Sequence, residues 1–147
     1  AIRLTHRMEQ PAVAACVRAA YAPYIARIGK EPAPMSADYA SLIERGVVSV
    51  LPDDEGVRGV LVMELVDGAL FIENVAVHPR YQGHGLGRRL MAYAEARART
   101  RGSNEIRLYT NERMTENLAF YARLGFEEVD RRMDAGYRRV FLRKTLS

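Results

Sequence analysis

Apolar positions recur along this chain with two periods. Val13, Cys16, Val17, Ala20 and Tyr24 fall at helical spacing and predict a helix over residues 9 to about 28. Pro23 should kink or split it, because proline lacks the N–H that continues the ladder. Residues 2–5 read as a short first strand. Pro32 and Pro34 enforce a turn, after which Ser36 is placed to cap a helix carrying Tyr39, Leu42 and Ile43 and ending at Gly46. The β-branched, apolar runs at 47–51 and 57–66 predict strands separated by a turn at 52–56. Asp67-Gly68 is a hairpin signal that returns the chain into a strand at 69–77. Leu86, Leu90, Ala94 and Ala98 share one face of a helix over about 85–101, which Gly102 ends. A strand at 106–110 follows, then a helix to about 124 that Thr115 can cap. Gly125-Phe126 then opens a final pair of strands divided near Ala135-Gly136. No repeat or linker interrupts this order, so residues 1–147 are expected to form a single domain.

Between the strand at 69–77 and the helix at 85–101 lies Gln82-Gly83-His84-Gly85-Leu86-Gly87. A strand, a glycine-rich turn and a helix start bring unpaired N–H groups and the positive end of a helix dipole to one point, which suits an anion such as phosphate. No Gly-Lys-Ser/Thr ending is present, so the turn is not a P-loop. The glycines are spaced Gly-x-Gly-x-Gly and Glu105 falls where the next strand begins, so the dinucleotide fingerprint fails as well.

The motif Gln82-x-x-Gly85-x-Gly87 resembles the Gln/Arg-x-x-Gly-x-Gly/Ala core of the GNAT superfamily of N-acetyltransferases. Downstream, Asn117, Phe120-Tyr121 and Gly125-Phe126 resemble a second family segment in the right order. The resemblance covers roughly residues 58 to 145, and the first 57 match in outline. It implies the GNAT acyltransferase fold: a mixed α/β chain with a mostly antiparallel, twisted sheet of about six or seven strands, flanked by about four helices. Strand–helix–strand order over 69–110 itself requires a parallel pair. That this central pair splays to admit the pantetheine arm of acetyl coenzyme A is implied by the resemblance alone.

Composition narrows the setting. Apolar residues make up 48% and charged residues 27%, which suits a globular chain able to bury a core. The net charge of +4 invites a polyanion, but no basic-aromatic recognition module is visible, so no nucleic-acid partner is expected. The lone Cys16 excludes an internal disulfide and reads as a buried small hydrophobe in a reducing compartment. His6, His78 and His84 have no ligand spacing, so no metal is expected. Without an apolar run near eighteen residues or a leader, the expectation is a cytoplasmic enzyme with no membrane partner; a homodimer is compatible with it.

The expected cofactor is acetyl coenzyme A, as co-substrate. N–H groups from Gly83 through His84, Gly85, Leu86, Gly87 and Arg88 are the candidate pyrophosphate cradle, with Gln82 as a side-chain donor. Arg88 or Arg89 either contacts phosphate or belongs to a solvated face. The strand segment Val75, Ala76 and Val77 is expected to offer backbone groups to the amide arm, as matching positions do in the family. The family transfers directly within a ternary complex, without an acyl-enzyme. Tyr121 matches the tyrosine that often protonates the departing sulfur; otherwise it is a core tyrosine. Asn117, a helical turn earlier, shares its face, and Phe120 adjoins it. Glu73 shares strand parity with Val75 and Val77 and is the base candidate, against a salt-bridged carboxylate. Asn111 could hold a pantetheine amide, cap the next turn, or do both. Acceptor-pocket candidates are Tyr21, Tyr24, Arg27, Asp38, Tyr39, Arg131, Asp134 and Tyr137. The expected reaction is acetyl transfer to a primary amine of a small molecule or peptide. The alternative is a non-catalytic acyl-coenzyme A sensor that keeps the cradle without turnover.

Overall fold

A computed structural model of the chain describes residues 1–54 and 56–147. Its strands are β1 (Arg3–Leu4), β2 (Val48–Asp53), β3 (Gly56–Val66), β4 (Ala69–Val77), β5 (Glu105–Asn111), β6 (Glu127–Asp134) and β7 (Tyr137–Thr145). They form a 7-stranded sheet in the order β1-β2-β3-β4-β5-β7-β6. β4 and β5 are parallel, and the other pairings are antiparallel. The helices are α1 (Gln10–Tyr21), α2 (Ile25–Ile28), α3 (Tyr39–Glu44), α4 (Leu86–Thr100) and α5 (Thr115–Arg123).

Local chemistry explains most boundaries. Pro23 splits the first helical run: the turn Ala22–Tyr24 is 3-10 and separates α1 from α2. Asp67 and Gly68 have φ of 51° and 83°, and Ala135 and Gly136 have 52° and 83°. Paired positive φ values mark the turn type whose twist matches a hairpin. The expected turn at 52–56 includes Glu55, which lies outside the described residues.

Two expected caps are corrected. α3 is capped by Asp38, whose carboxylate accepts from Ser41 N at 3.1 Å, while Ser36 closes the preceding 3-10 turn. A carboxylate beside the first turn displaces the more distant serine. Thr115 is the first residue of α5 and the cap position belongs to Met114; the Thr115 hydroxyl turns to Glu116 at 2.8 Å.

The sheet separates two cores. On one face Leu61, Leu70, Ile72, Ile106, Leu108, Val140 and Leu142 meet Leu86, Leu90, Met91, Ala94 and Ala98 of α4 together with Tyr121 and Phe126. On the other face Val48, Val50, Val60, Val62 and Ala76 meet Val13, Cys16, Val17 and Tyr21 of α1 and Tyr39, Leu42 and Ile43 of α3. The parallel pair holds register only at Leu70↔Ile106, Phe71↔Arg107 and Ile72↔Leu108. Beyond that point β4 and β5 part. A bulge is the local cause: Val62 faces Asn74 and Met63 faces Ile72, leaving Glu73 over in β4. An extra residue on one strand bends it and increases its twist.

Candidate functional site

The glycine turn is shaped as an open helix start. Gly85 is the N-cap of α4 at φ 76° and offers no side-chain cap, and no acidic residue occupies the first turn. Among the described residues, the N–H groups of Gly85, Leu86, Gly87 and Arg88 have no acceptor. They are the orphan donors of a 15-residue helix, with the positive end of its dipole behind them. Gly87 has a different reason to be glycine: a Cβ there would stand 3.3 Å from Phe120 Cζ, so its absence lets α5 close on the start of α4.

The other residues of the turn divide by environment. Gln82 Nε2 donates to Val77 O at 3.1 Å, tying the turn to the end of β4. Leu86 is buried in the α4 core, so only its backbone faces the turn, while His84, Arg88 and Arg89 are exposed.

Beside the end of β4 that has left β5, a cleft of about 180 Å³ opens. Val75, Ala76, Val77, Gln82 and Gly87 form one wall, and Asn117, Phe120 and Tyr121 form the other, with Tyr21, Tyr24 and Met114 at the inner end. Residues from β4, the turn and α5 thus meet around one space. Tyr121 is 7% exposed, and its ring packs edge-on against Phe120 and Phe126 with centroids at 5.3 and 5.5 Å. Its hydroxyl has no hydrogen-bond partner among the described residues, and the residue lines the cleft. Burial pushes that hydroxyl well above its ordinary pKa, so it is a neutral O–H donor at neutral pH.

A second, smaller pocket of about 50 Å³ adjoins the cleft and shares Tyr21 and Met114 with it. Glu73, Tyr109, Thr110, Asn111, Tyr137 and Arg139 line it, under a roof of Pro32, Ala33 and Pro34. The expected parity of Glu73 with Val75 and Val77 is corrected by the bulge. Val75 and Val77 pack toward the α4 core and the cleft, whereas Glu73 lines the second pocket. Asn111 also lines that pocket, and its Oδ1 accepts from Arg113 N at 2.9 Å, so it stabilises the turn before α5.

Tyr21 stands where the two spaces meet. Its hydroxyl lies 2.7 Å from Asn74 Oδ1 and 3.2 Å from Val75 O. Asn74 Nδ2 donates to the Tyr39 hydroxyl at 3.0 Å, which in turn donates to Pro34 O. This chain joins α1, β4, α3 and the pocket roof, and burial raises the pKa of both tyrosines.

The remaining acceptor-pocket candidates scatter. Tyr24 reaches the cleft, Tyr137 the pocket, and Asp134 pairs with Arg139 at 2.8 Å. Arg27 is held outside by Glu116 at 2.6 Å, Asp38 caps α3, and Arg131 is exposed and paired with Glu128. Sequence reasoning missed Met114, Tyr109, Asn74 and Arg139. Period-two alternation through Val140 and Leu142 was the available signal for Arg139, because it places that residue opposite the α4 core.

The chain matches the family model described as Acetyltransferase (GNAT) family over residues 15–126. No curated protein matches it in sequence. Among solved structures it is similar to the PaiA N-acetyltransferase of Thermoplasma acidophilum in complex with coenzyme A. The identity is 18%, the TM-score is 0.85, and 99% of this chain and 98% of that one are covered. It is also similar to the ribosomal-protein-S18-alanine N-acetyltransferase of Escherichia coli, at 22% identity and TM-score 0.78, covering 100% and 94%. A third is a putative acetyltransferase of the GNAT family from Desulfovibrio desulfuricans, at 20% identity and TM-score 0.80, covering 100% and 99%.

Proposed function

The chain belongs to the GNAT acetyltransferase family, and from that premise we propose that it moves an acetyl group from acetyl coenzyme A to a primary amine of a small molecule or peptide. The observation that carries the reading is Tyr121, whose hydroxyl has no partner among the described residues, lining a cleft with β4 and the glycine turn beside a pocket that holds a carboxylate. The donor set suits the cofactor. Four orphan N–H groups at Gly85–Arg88 match a pyrophosphate, and the cleft-lining segment Val75–Val77 matches an amide arm. Acetyl coenzyme A supplies an activated thioester whose leaving group is the coenzyme A thiolate.

The residues of the chain divide the proton work. Glu73 takes a proton from the acceptor ammonium, directly or through water, freeing the nitrogen lone pair. The C–N bond forms as the C–S bond breaks, and Tyr121 gives its proton to the departing sulfur. The second amine proton restores Tyr121, so one proton is released per turnover. Tyr21 and Met114, common to both spaces, set the approach of amine to thioester. Neither Glu73 nor Tyr121 becomes acylated.

A screen of primary amines with acetyl coenzyme A, read as release of the coenzyme A thiol, tests the reading. Turnover with at least one amine, lost in Tyr121→Phe, supports it. Tight coenzyme A binding without turnover across the panel would instead leave a sensor.

A further inference from the structure

Arg139 lines the pocket beside the cleft and is 7% exposed. Its guanidinium stacks on Tyr109, with Cζ 4.0 Å from the ring centroid, and lies 5.4 Å from the Tyr137 centroid. Nη1 donates to Asp134 Oδ2 at 2.8 Å. No other hydrogen bond of this guanidinium exists among the described residues, so its Nε and Nη2 donors remain for a ligand. A planar fork held between two rings and one carboxylate is a pre-organised carboxylate receptor through its remaining edge.

Neighbouring cations are otherwise engaged. Arg27 is paired with Glu116 away from the pocket, and Lys30 donates to Gly136 O at 2.7 Å while lying over the Tyr137 ring. Arg139 is thus the cation among the pocket-lining residues, and Glu73 is the anion. The two signs on one wall match a ligand that carries both. The pocket is the smaller of the two spaces, which suits a small one.

We propose that Arg139 binds a carboxylate on the acceptor while Glu73 faces its ammonium, so that the acceptor is an amino carboxylate of amino-acid size. This rests on the acetyltransferase reading only for the fate of the amine; the binding claim stands apart from it.

The test uses the standard amino acids, each beside its own amide, as probes of the intact protein. Calorimetry with and without saturating coenzyme A reads binding, and thiol release from acetyl coenzyme A reads transfer. At least one free acid should bind about tenfold or more tightly than its amide. Arg139→Gln should abolish that preference and Arg139→Lys should keep part of it. Amides that bind as well as acids, no binding by any acid, or a preference that survives in Arg139→Gln would each overturn the proposal. The acid-to-amide comparison in the unaltered protein decides the matter even if Arg139→Gln does not fold. An acid preference in binding without any thiol release would sink the transfer reading and leave this one standing. Transfer that ignores the carboxylate would do the reverse.

Discussion

The Tyr21 hydroxyl stands 2.7 Å from Asn74 Oδ1 although 53 residues separate them in sequence. The contact pins α1 to β4 at the point where the cleft and the smaller pocket meet. Asn74 is 4% exposed, so its amide is largely withdrawn from bulk water. Tyr21→Phe removes the donor and leaves that oxygen buried and unpaired, which should cost about 1–3 kcal/mol in chemical denaturation. Unchanged stability would mean that the hydrogen bond is replaced.

Tyr121→Phe should behave in the opposite way. Its hydroxyl has no partner among the described residues, so stability should stay within about 0.5 kcal/mol. The rate constant kcat should fall roughly a hundredfold or more if the phenol is the general acid. Burial raises the phenol pKa, so the proton is present well past neutrality and the loss should be equal between about pH 6 and 9. A pH–rate profile of both proteins checks this. A variant with full activity would remove Tyr121 from the chemistry.

Glu9 gives a stability change on the acid side. Its carboxylate takes two hydrogen bonds from Arg3 at 2.9 Å and one from His6 N at 2.8 Å, and these hold its pKa down at about 2. The folded value lies below the unfolded one, so the stabilisation is full above about pH 4.3 and fades as pH falls toward 2. Arg3 remains 39% exposed, and screening limits the effect to about 1 kcal/mol. Glu9→Gln should therefore be less stable than the unaltered protein at pH 6, with the gap closing by about pH 2. A gap that is constant with pH would assign the effect to packing.

Gly87→Ala sets two effects against each other. The first turn of α4 gains at most about 1 kcal/mol from the added methyl. Phe120 must give way, because its Cζ lies 3.3 Å from the new carbon. The Phe120 ring is part of the cleft wall, so coenzyme A affinity should fall severalfold while thermal stability holds or rises. Equal affinity would show that the α4–α5 contact does not shape the cleft.

Cys16 should be silent toward thiol reagents in the native protein. It is 1% exposed, and burial pushes its pKa up to about 12, so thiolate is scarce and inaccessible. Labelling at pH 8 should track global unfolding as denaturant is added. Rapid native-state labelling would indicate local opening of α1.

Much of the fold was legible in the sequence because its signals are local. The hairpin at Asp67-Gly68, the split at Pro23 and the apolar stripe from Leu86 to Ala98 each depend on residues within a turn or two. The motif Gln82-x-x-Gly85-x-Gly87 was legible for the same reason: a helix start without a side-chain cap leaves its donors open wherever it occurs. The caps of α3 and α5 were misplaced because several nearby residues can accept the same N–H, and only the backbone path chooses between them.

The tertiary structure decided the smaller pocket. Alternation along β4 placed Glu73 with Val75 and Val77, but pairing with β3 left Glu73 over as a bulge and turned it to the other face. A bulge is a property of two strands in register, so one strand's pattern cannot contain it. Arg139 and Tyr109 come together only because β7 pairs with β5, and Tyr21 reaches Asn74 only because α1 packs across the sheet. The sequence by itself determined the open helix start at Gly85 through contiguous residues. The pocket beside it depends on side chains whose separation is set by sheet order and packing.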